Sequence, residues 1–390
     1  MVWNLTTADT VTRLRKLIRF VGIYGIARTF YKVMGRIRPP GMFFRIRSGG
    51  SRSIGVVGCG QFAFANIGYF LHRKAGSCLA ACYDPDNAAA ASFSRFHDVP
   101  TIAATADEVL CAKEVELVYI ASNHASHAGY SVIALHAGKR VYVEKPVAVN
   151  SEQLRALCLA QRETGHPIFA GYCRPFSRAL RELRRWCDAT DVPLTLSCFI
   201  WGHQLPADHW YRRPAEGTRI CGNAGHWIDL MVHILHWGIL PDRWQITLVW
   251  SNESARDDDL AITLVSERGD LVNIVQTART EPFDGVSESI HLQWADTIAE
   301  IGDFRRMTIW KGAHRKRYRY WHKDVGHCRA ILQPFSDARR DWREVELSTL
   351  LMIEIAAMVV SGKRYAEFSF SQAWESLGVD NNERHYVVVP

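Results

Sequence analysis

Two rhythms of apolar and polar positions divide the chain. Over residues 50–150, apolar runs at 54–57, 78–83, 116–121 and 140–143 alternate with segments of helical spacing at 65–74, 88–97 and 127–137. Runs of four to six residues rich in β-branched and aromatic side chains predict strands buried on both faces. Strands alternating with helices predict a parallel, doubly wound α/β sheet of the Rossmann type. Gly138 stands where the third helix needs a C-terminal cap. Beyond residue 150 the rhythm changes. Residues 194–201, 243–250, 261–266, 271–277, 291–294 and 297–301 read as short strands, several alternating apolar and polar as half-buried antiparallel strands do. Residues 227–237 read as a helix.

A doubly wound sheet binds ligands beyond the C-terminal ends of its strands, and the candidate chemistry falls there. Gly58-Cys59-Gly60-Gln61-Phe62-Ala63 follows the first run. Gly58 permits the sharp turn into a helix, Gly60 keeps the backbone bare for a pyrophosphate, and the small Ala63 lets helix and strand pack closely. Asp84 ends the second run, where an acid accepts hydrogen bonds from ribose hydroxyls, and no Arg follows closely to take a 2′-phosphate, so NAD is expected rather than NADP. Ser122, Asn123, Glu144 and Lys145 lie at the same edge after the later runs. Glu144 is expected to hold Lys145 in place, and the Lys145–Pro146 bond is a candidate for the cis form.

These strings resemble the glucose–fructose oxidoreductase / inositol dehydrogenase (Gfo/Idh/MocA) family. The resemblance rests on the Gly58–Ala63 loop and on Tyr119-Ile120-Ala121-Ser122-Asn123 followed by His127. It rests further on the run from Ala137 through Glu144-Lys145-Pro146, on Gly171 to Phe176, and on Gly225 to His233. It implies a second, α+β domain with a mostly antiparallel sheet, one face of which packs on another subunit in a dimer or tetramer. It also implies NAD(P)-dependent hydride transfer at a secondary alcohol of a sugar, cyclitol or nucleotide sugar, with Lys145, Asp229 and His233 as the catalytic set.

The residue chemistry is compatible with those roles. Asp229 and His233 stand four apart on the 227–237 helix. A neutral His is suited to accept a hydroxyl proton near pH 7, and Lys145 to stabilise alkoxide charge. Two departures from the family pattern, Gly222-Asn223-Ala224-Gly225-His226 and Arg174-Pro175-Phe176, fall where substrate is expected. Tyr172, Arg174, Asn223 and His226 are therefore the substrate-pocket candidates, and Gly58, Gly60, Gln61, Phe62, Ala63, Asp84, Ser122, Asn123, His127, Glu144 and Lys145 the cofactor candidates. His226, Asp229 and His233 lack a visible third ligand with a defined second shell, so no metal is expected. Two rival readings share these residues: an NAD-dependent glycosidase using transient oxidation, and a non-catalytic dinucleotide-binding sensor.

Composition changes the picture in one place. With 390 residues and 48% hydrophobic content the chain is long enough for two domains. Its ten cysteines form no CxxC pair and read as reduced thiols of a cytoplasmic protein. The net charge of +7, however, belongs to the first fifty residues, whose ten Lys or Arg face one acid, Asp9. There Val11, Leu14, Leu17, Ile18, Val21 and Tyr24 recur at helical spacing among Arg13, Arg15, Lys16 and Arg19. Pro39-Pro40 is expected to end this unit and 48–53 to be a flexible joint. A basic amphipathic helix suits an anionic membrane surface, here through residues 10–36, or packing on the body or a partner. The segment lacks the cleavage site of a signal peptide, and no base-reading motif points to nucleic acid. A second basic cluster, Arg315-Lys316-Arg317 with Arg319, reads as a solvated strand or loop face. The expected organisation is a basic extension (1–50), a dinucleotide-binding domain (51–150) and a substrate and oligomerisation domain (151–390) whose last segment packs back on the first.

Overall fold

The computed structural model describes residues 7–39, 49–188, 190–337 and 339–379. Two helices, α1 (Thr7–Tyr24) and α2 (Ile26–Ile37), precede the sheet. The first domain then runs β1 (Ile54–Val57), α3 (Gly68–Ala75), β2 (Leu79–Tyr83), α4 (Asn87–His97), β3 (Thr101–Ile102), α5 (Ala106–Leu110), β4 (Leu117–Ile120), α6 (His124–His136), β5 (Arg140–Val143), α7 (Ser151–Thr164) and β6 (Ile168–Ala170). The strands form one parallel sheet in the order β3-β2-β1-β4-β5-β6. Every residue of β1 and β4 is buried, as runs without polar alternation require. The sheet extends past residue 150 by α7 and β6, beyond the expected boundary. A π-helical turn, Ala63–Ile67, leads into α3. Buried His97 lies with Nε2 3.1 Å from the Phe64 carbonyl in that turn.

The second domain carries α8 (Arg178–Arg184), β7 (Leu194–Trp201), α9 (Gly225–Leu235), β8 (Arg243–Trp250), β9 (Leu260–Ser266), β10 (Leu271–Thr277), β11 (Ser287–Trp294), β12 (Thr297–Gly302), β13 (Arg306–Lys311), β14 (His314–Arg319), α10 (His327–Ile331), α11 (Trp342–Ser361), β15 (Tyr365–Ser369) and α12 (Phe370–Ser376). Its nine strands order as β14-β13-β12-β11-β7-β10-β9-β8-β15, antiparallel except for the parallel β7–β10 pair. The sheet buries one face under the apolar helices α9 and α11. The other face leaves Phe199, Trp201, Val249, Leu271 and Ile298 exposed. The Arg315–Arg319 cluster is β14, an exposed edge strand, where charge discourages further strand pairing. After α10 the chain returns to the first domain: the Tyr119 hydroxyl donates to the Ile331 carbonyl at 2.7 Å and the Gln333 amide to Ala170 at 2.9 Å.

The N-terminal arm divides its contacts unequally. In α2, Tyr31, Met34 and Gly35 are buried against the helix that follows the glycine loop, with Tyr31 4.8 Å from Tyr69 and 5.2 Å from Phe96, ring to ring. In α1, Phe20 and Ile23 are buried while Val11, Leu14, Leu17 and Ile18 are exposed. Pro39 follows α2; Pro40 to Ser48, including half of the expected stop and the start of the expected joint, lie outside the described residues.

Candidate active site

The glycine loop is built as a cradle. Gly58 has φ +90°, and a Cβ there would meet the Ala121 carbonyl oxygen at 2.4 Å, whereas a Cβ on Gly60 would meet nothing within 4 Å. The first glycine thus serves the turn and the second leaves open space before the helix N-terminus, which fits a pyrophosphate. Asp84 reaches back to this loop, its carboxylate accepting from the Cys59 N–H at 2.7 Å and the Asp86 N–H at 2.9 Å. Gly58→Ala combines a disfavoured backbone angle with a backbone clash. It is expected to cost more than about 1–2 kcal/mol and to abolish dinucleotide binding, checked by thermal melting and an NAD titration.

At the ends of β4 and β5 the candidate residues split by task. His127 is buried between the two strand exits, with Nδ1 2.7 Å from the Pro146 carbonyl and Nε2 3.2 Å from that of Ser122; a neutral ring donates to one of them, and the Pro146 carbonyl is the nearer. Burial pushes its pKa down to about 4, leaving a neutral strut. Ser122 is paired with Ser126 at 2.7 Å. Asn123 donates to Glu216 Oε1 at 2.8 Å, while Glu216 Oε2 takes the Ala125 N–H at 3.0 Å and so caps α6 from the other domain. Glu216 carried no sequence signal, being ninety residues from its partners. Glu144 is buried beneath Gly171, whose Cβ would lie 2.8 Å from the carboxyl group. It accepts from the Tyr142 hydroxyl at 2.6 Å and from the Lys145 backbone N–H at 3.3 Å. Burial raises its pKa to about 7. Glu144 therefore fixes the main chain rather than the lysine ammonium, which corrects the expectation. The Lys145–Pro146 bond is cis.

Lys145 points across to the second domain. Its Nζ donates to the Gly222 carbonyl at 2.6 Å and stands 5.9 Å from the Tyr211 ring. Gly222 lies in the π-helical turn Ile220–Ala224 that opens α9, so the lysine docks at the start of that helix. Asn223 occupies the same turn, and His226 follows it as the second residue of α9. His226 is half-buried with no partner for Nδ1, and the Asn223 Oδ1 is likewise buried and unpartnered. Burial, then the charges of Arg174 and Lys145, hold His226 well below its ordinary pKa. Tyr172 packs edge-on to His226 at 6.2 Å and is otherwise a buried wall. Arg174 is committed elsewhere: it donates to both oxygens of Glu288, at 2.9 and 3.2 Å, and lies 4.4 Å over Trp227, which itself donates to Glu288 at 2.7 Å. That pair keeps Arg174 charged against the burial opposing it. His124, missed because the helix was expected to begin at His127, packs on Trp210 and Tyr211 at 4.6 Å, with its pKa lowered to about 2 by burial and then by Lys145.

Asp229 and His233 are not brought to Lys145. The buried Asp229 carboxylate takes Arg340 Nη1 on both oxygens at 2.8 Å and the Ser348 hydroxyl at 3.0 Å. His233 Nδ1 lies 2.9 Å from Glu344, which also accepts from Arg340 at 2.9 Å. The two residues share one face of α9, as their spacing implies, but that face meets α11. Arg340 and Glu344 sit 111 residues downstream, beyond any local pattern. His233 and Arg340 also line a separate surface cavity of about 560 Å³.

Burial would raise the pKa of Glu344, but Arg340 and His233 more than offset it and bring it down to about 2. A depressed carboxylate stabilises the fold above its unfolded pKa and loses that contribution as pH falls through the folded one. Melting temperature is therefore expected to fall between about pH 4.5 and 2, with about 3 kcal/mol at stake from this group. Glu344→Gln should flatten that acid limb in a pH series of melting curves.

Residues 52–172 match the model of an oxidoreductase family with an NAD-binding Rossmann fold, Gfo/Idh/MocA. The chain is similar to the inositol 2-dehydrogenase of Pseudomonas syringae pv. syringae (strain B728a), at 31% identity over 210 residues, 52% of this chain and 59% of that one. With the inositol 2-dehydrogenase of Pseudomonas savastanoi pv. phaseolicola (strain 1448A / Race 6) it shares 25% over 233 residues, 57% of this chain and 66% of the relative. The chain thus spans less than two thirds of the length of these curated relatives. Among solved structures, levoglucosan dehydrogenase in complex with NADH and levoglucosan superposes with a TM-score of 0.67 over 81% of this chain and 99% of that one, at 12% identity, which is a likeness of fold.

Proposed function

We propose that the chain is a Gfo/Idh/MocA oxidoreductase, as the match of residues 52–172 and the likeness to inositol 2-dehydrogenases support, and that it transfers hydride between NAD and a secondary alcohol of a sugar, cyclitol or nucleotide sugar. One observation carries the reading: the Lys145 ammonium from the first domain docks on the Gly222 carbonyl, four residues before His226, whose Nδ1 has no partner and whose ring lies in the field of that lysine. The cradle at Gly58 and Gly60 fits a dinucleotide, with Asp84 placed for the ribose hydroxyls, which favours NAD over NADP. When bound, NAD supplies the hydride acceptor. His226, kept neutral by burial and by neighbouring cations, takes the hydroxyl proton, and Lys145 stabilises the alkoxide charge that develops. In the reverse direction Lys145 polarises the carbonyl and His226 returns the proton. Asn223 is the hydrogen-bonding group nearest this pair in sequence and is assigned to substrate hydroxyls.

The apolar outer face of the large sheet, with Phe199, Trp201, Val249, Leu271 and Ile298 exposed together, suits burial against a second copy. Light scattering on the purified protein, read against a Trp201→Glu variant, tests that dimer or tetramer. No described helix is long and apolar enough to cross a membrane. The exposed Val11, Leu14 and Ile18 among the bases of α1 suit peripheral contact with anionic lipid, tested by vesicle sedimentation.

The activity is tested by incubating the purified protein with NAD and a panel of sugars, cyclitols and nucleotide sugars while following absorbance at 340 nm. Reduction by one class supports the reading and names the substrate. Sugar release without net NADH would turn it towards glycoside cleavage, and a protein that binds no dinucleotide would overturn it.

A further inference from the structure

The N-terminal arm is built into the cleft. Arg38, just past α2, donates to the Cys59 carbonyl of the glycine loop at 2.6 Å and to Ser92 at 2.9 Å, and the Gln61 amide donates to the Lys32 carbonyl at 3.1 Å. Gly35 leaves no room at this contact, since a Cβ there would lie 3.0 Å from Gln61 and Phe64. Arg28 Nη2 donates to Asn66, in the turn after that loop, at 3.0 Å. The same arm grips the other domain: Arg28 Nη2 lies 3.2 Å from His327 Nδ1, the Lys323 N–H donates to the Ile23 carbonyl at 2.9 Å, and Arg19 pairs with Asp284 at 2.6 Å.

Between these clasps the arm delivers positive charge that no described acid pairs directly, the Lys32 ammonium and the Arg28 guanidinium lying 4.6 and 5.3 Å from the Tyr24 ring. Lys32 is half-buried and makes no ion pair with any described residue, and the charges that act on it are Arg28, Arg36 and Lys323. Arg28 has its Nε buried without a partner. His327 lies in the field of Arg28, Lys32, Arg174 and Lys323, and stands 5.7 Å from the ring of Phe62 in the glycine loop. Of these, Lys323 is paired with Asp303 and Arg174 with Glu288, which leaves Arg28 and Lys32 without an ion pair among the described residues. Burial, and then these like charges, push Lys32 down to about 7. A half-buried cation among cations is costly to hold, and a bound oxyanion would relieve that cost through charge-assisted hydrogen bonds.

We propose that Lys32 and Arg28 form an oxyanion seat beside the glycine loop, for a phosphate group carried into the cleft by the cofactor or by the substrate. This rests on the oxidoreductase reading only for what the cleft is used for. The seat itself is tested without turnover, by calorimetric titration of the full chain with inorganic phosphate and with pyrophosphate, in the absence of NAD. Wild type binds. Lys32→Ala binds roughly ten- to a hundredfold more weakly, the scale of one charge-assisted hydrogen bond, and Arg317→Ala on the exposed edge strand binds as wild type. Lys32→Arg, which keeps the charge, retains binding and guards against loss of fold in the Ala variant. Repeating the titration with saturating NAD separates the sources: if NAD abolishes phosphate binding, the seat takes the cofactor's pyrophosphate, and if binding persists, it takes a phosphate on the substrate. Equal phosphate affinity in wild type and Lys32→Ala, or no binding by wild type, overturns the seat. Lys32-dependent phosphate binding in a protein that reduces NAD with no sugar would instead overturn the activity and leave the seat standing.

Discussion

Lys145→Ala is expected to lower turnover roughly a hundred- to ten-thousandfold, the scale of removing an oxyanion-stabilising or acid–base group, while leaving NAD affinity and melting temperature close to wild type. The side chain makes one hydrogen bond, to the Gly222 carbonyl, and forms no ion pair among the described residues. Its removal therefore takes a single side-chain hydrogen bond from the fold and strands no buried charge. The same reasoning extends to His226→Ala, whose unpartnered Nδ1 supports nothing in the fold. Steady-state rates on the substrate found at 340 nm, set beside melting curves, check both variants. A Lys145→Ala enzyme that keeps near-normal turnover would remove the lysine from the chemistry, and with it the convergence on which the activity rests.

Asp229→Ala should show the opposite profile. Asp229 is 1% exposed and Arg340 is buried against it, so truncating the acid strands a buried guanidinium with Glu344 as its remaining partner. Breaking a buried pair from one side costs about 3–5 kcal/mol, enough to remove much of the stability of an ordinary domain. Chemical denaturation measures that loss directly. Asp229→Asn, which keeps the shape and the Ser348 contact, should recover part of it. In preparations that remain folded, turnover per folded molecule should stay near wild type. A fall in turnover without a fall in stability would return Asp229 to the chemistry that the family resemblance suggested. His233→Ala belongs with it, at about 1.5–3 kcal/mol for one hydrogen bond to a charged partner.

The different fates of His226 and His233 show where sequence reasoning reached its limit. Seven residues separate them, nearly two whole turns, so they present the same face of α9 some 10 Å apart along its axis. Spacing identifies that face, but not which turn of the helix meets the lysine of another domain. Lys145 grips the turn just before α9, at Gly222, and the later turns meet α11. The Arg174 pairing was hidden for a similar reason: Glu288 is 114 residues away on a strand, and no local pattern joins them. The edge strand β14 has no buried face by which to predict it, being exposed nearly throughout.

What the sequence determined by itself is whatever depends on near neighbours. The buried runs at β1, β2, β4 and β5, the helices between them and the turn that only Gly58 can make follow from backbone sterics and side-chain burial within a few residues. That is why the doubly wound sheet and its cofactor edge were legible from the start. Only the tertiary structure decided which charges meet: Lys145 with the turn that opens α9, Asp229 with Arg340, Glu216 with the start of α6, and the basic arm with the glycine loop. The net charge of the first fifty residues was plain in composition, but its direction was not. An amphipathic helix carries a face without an address, and it took the packing of α2 on the dinucleotide domain to show that part of that charge is aimed inward.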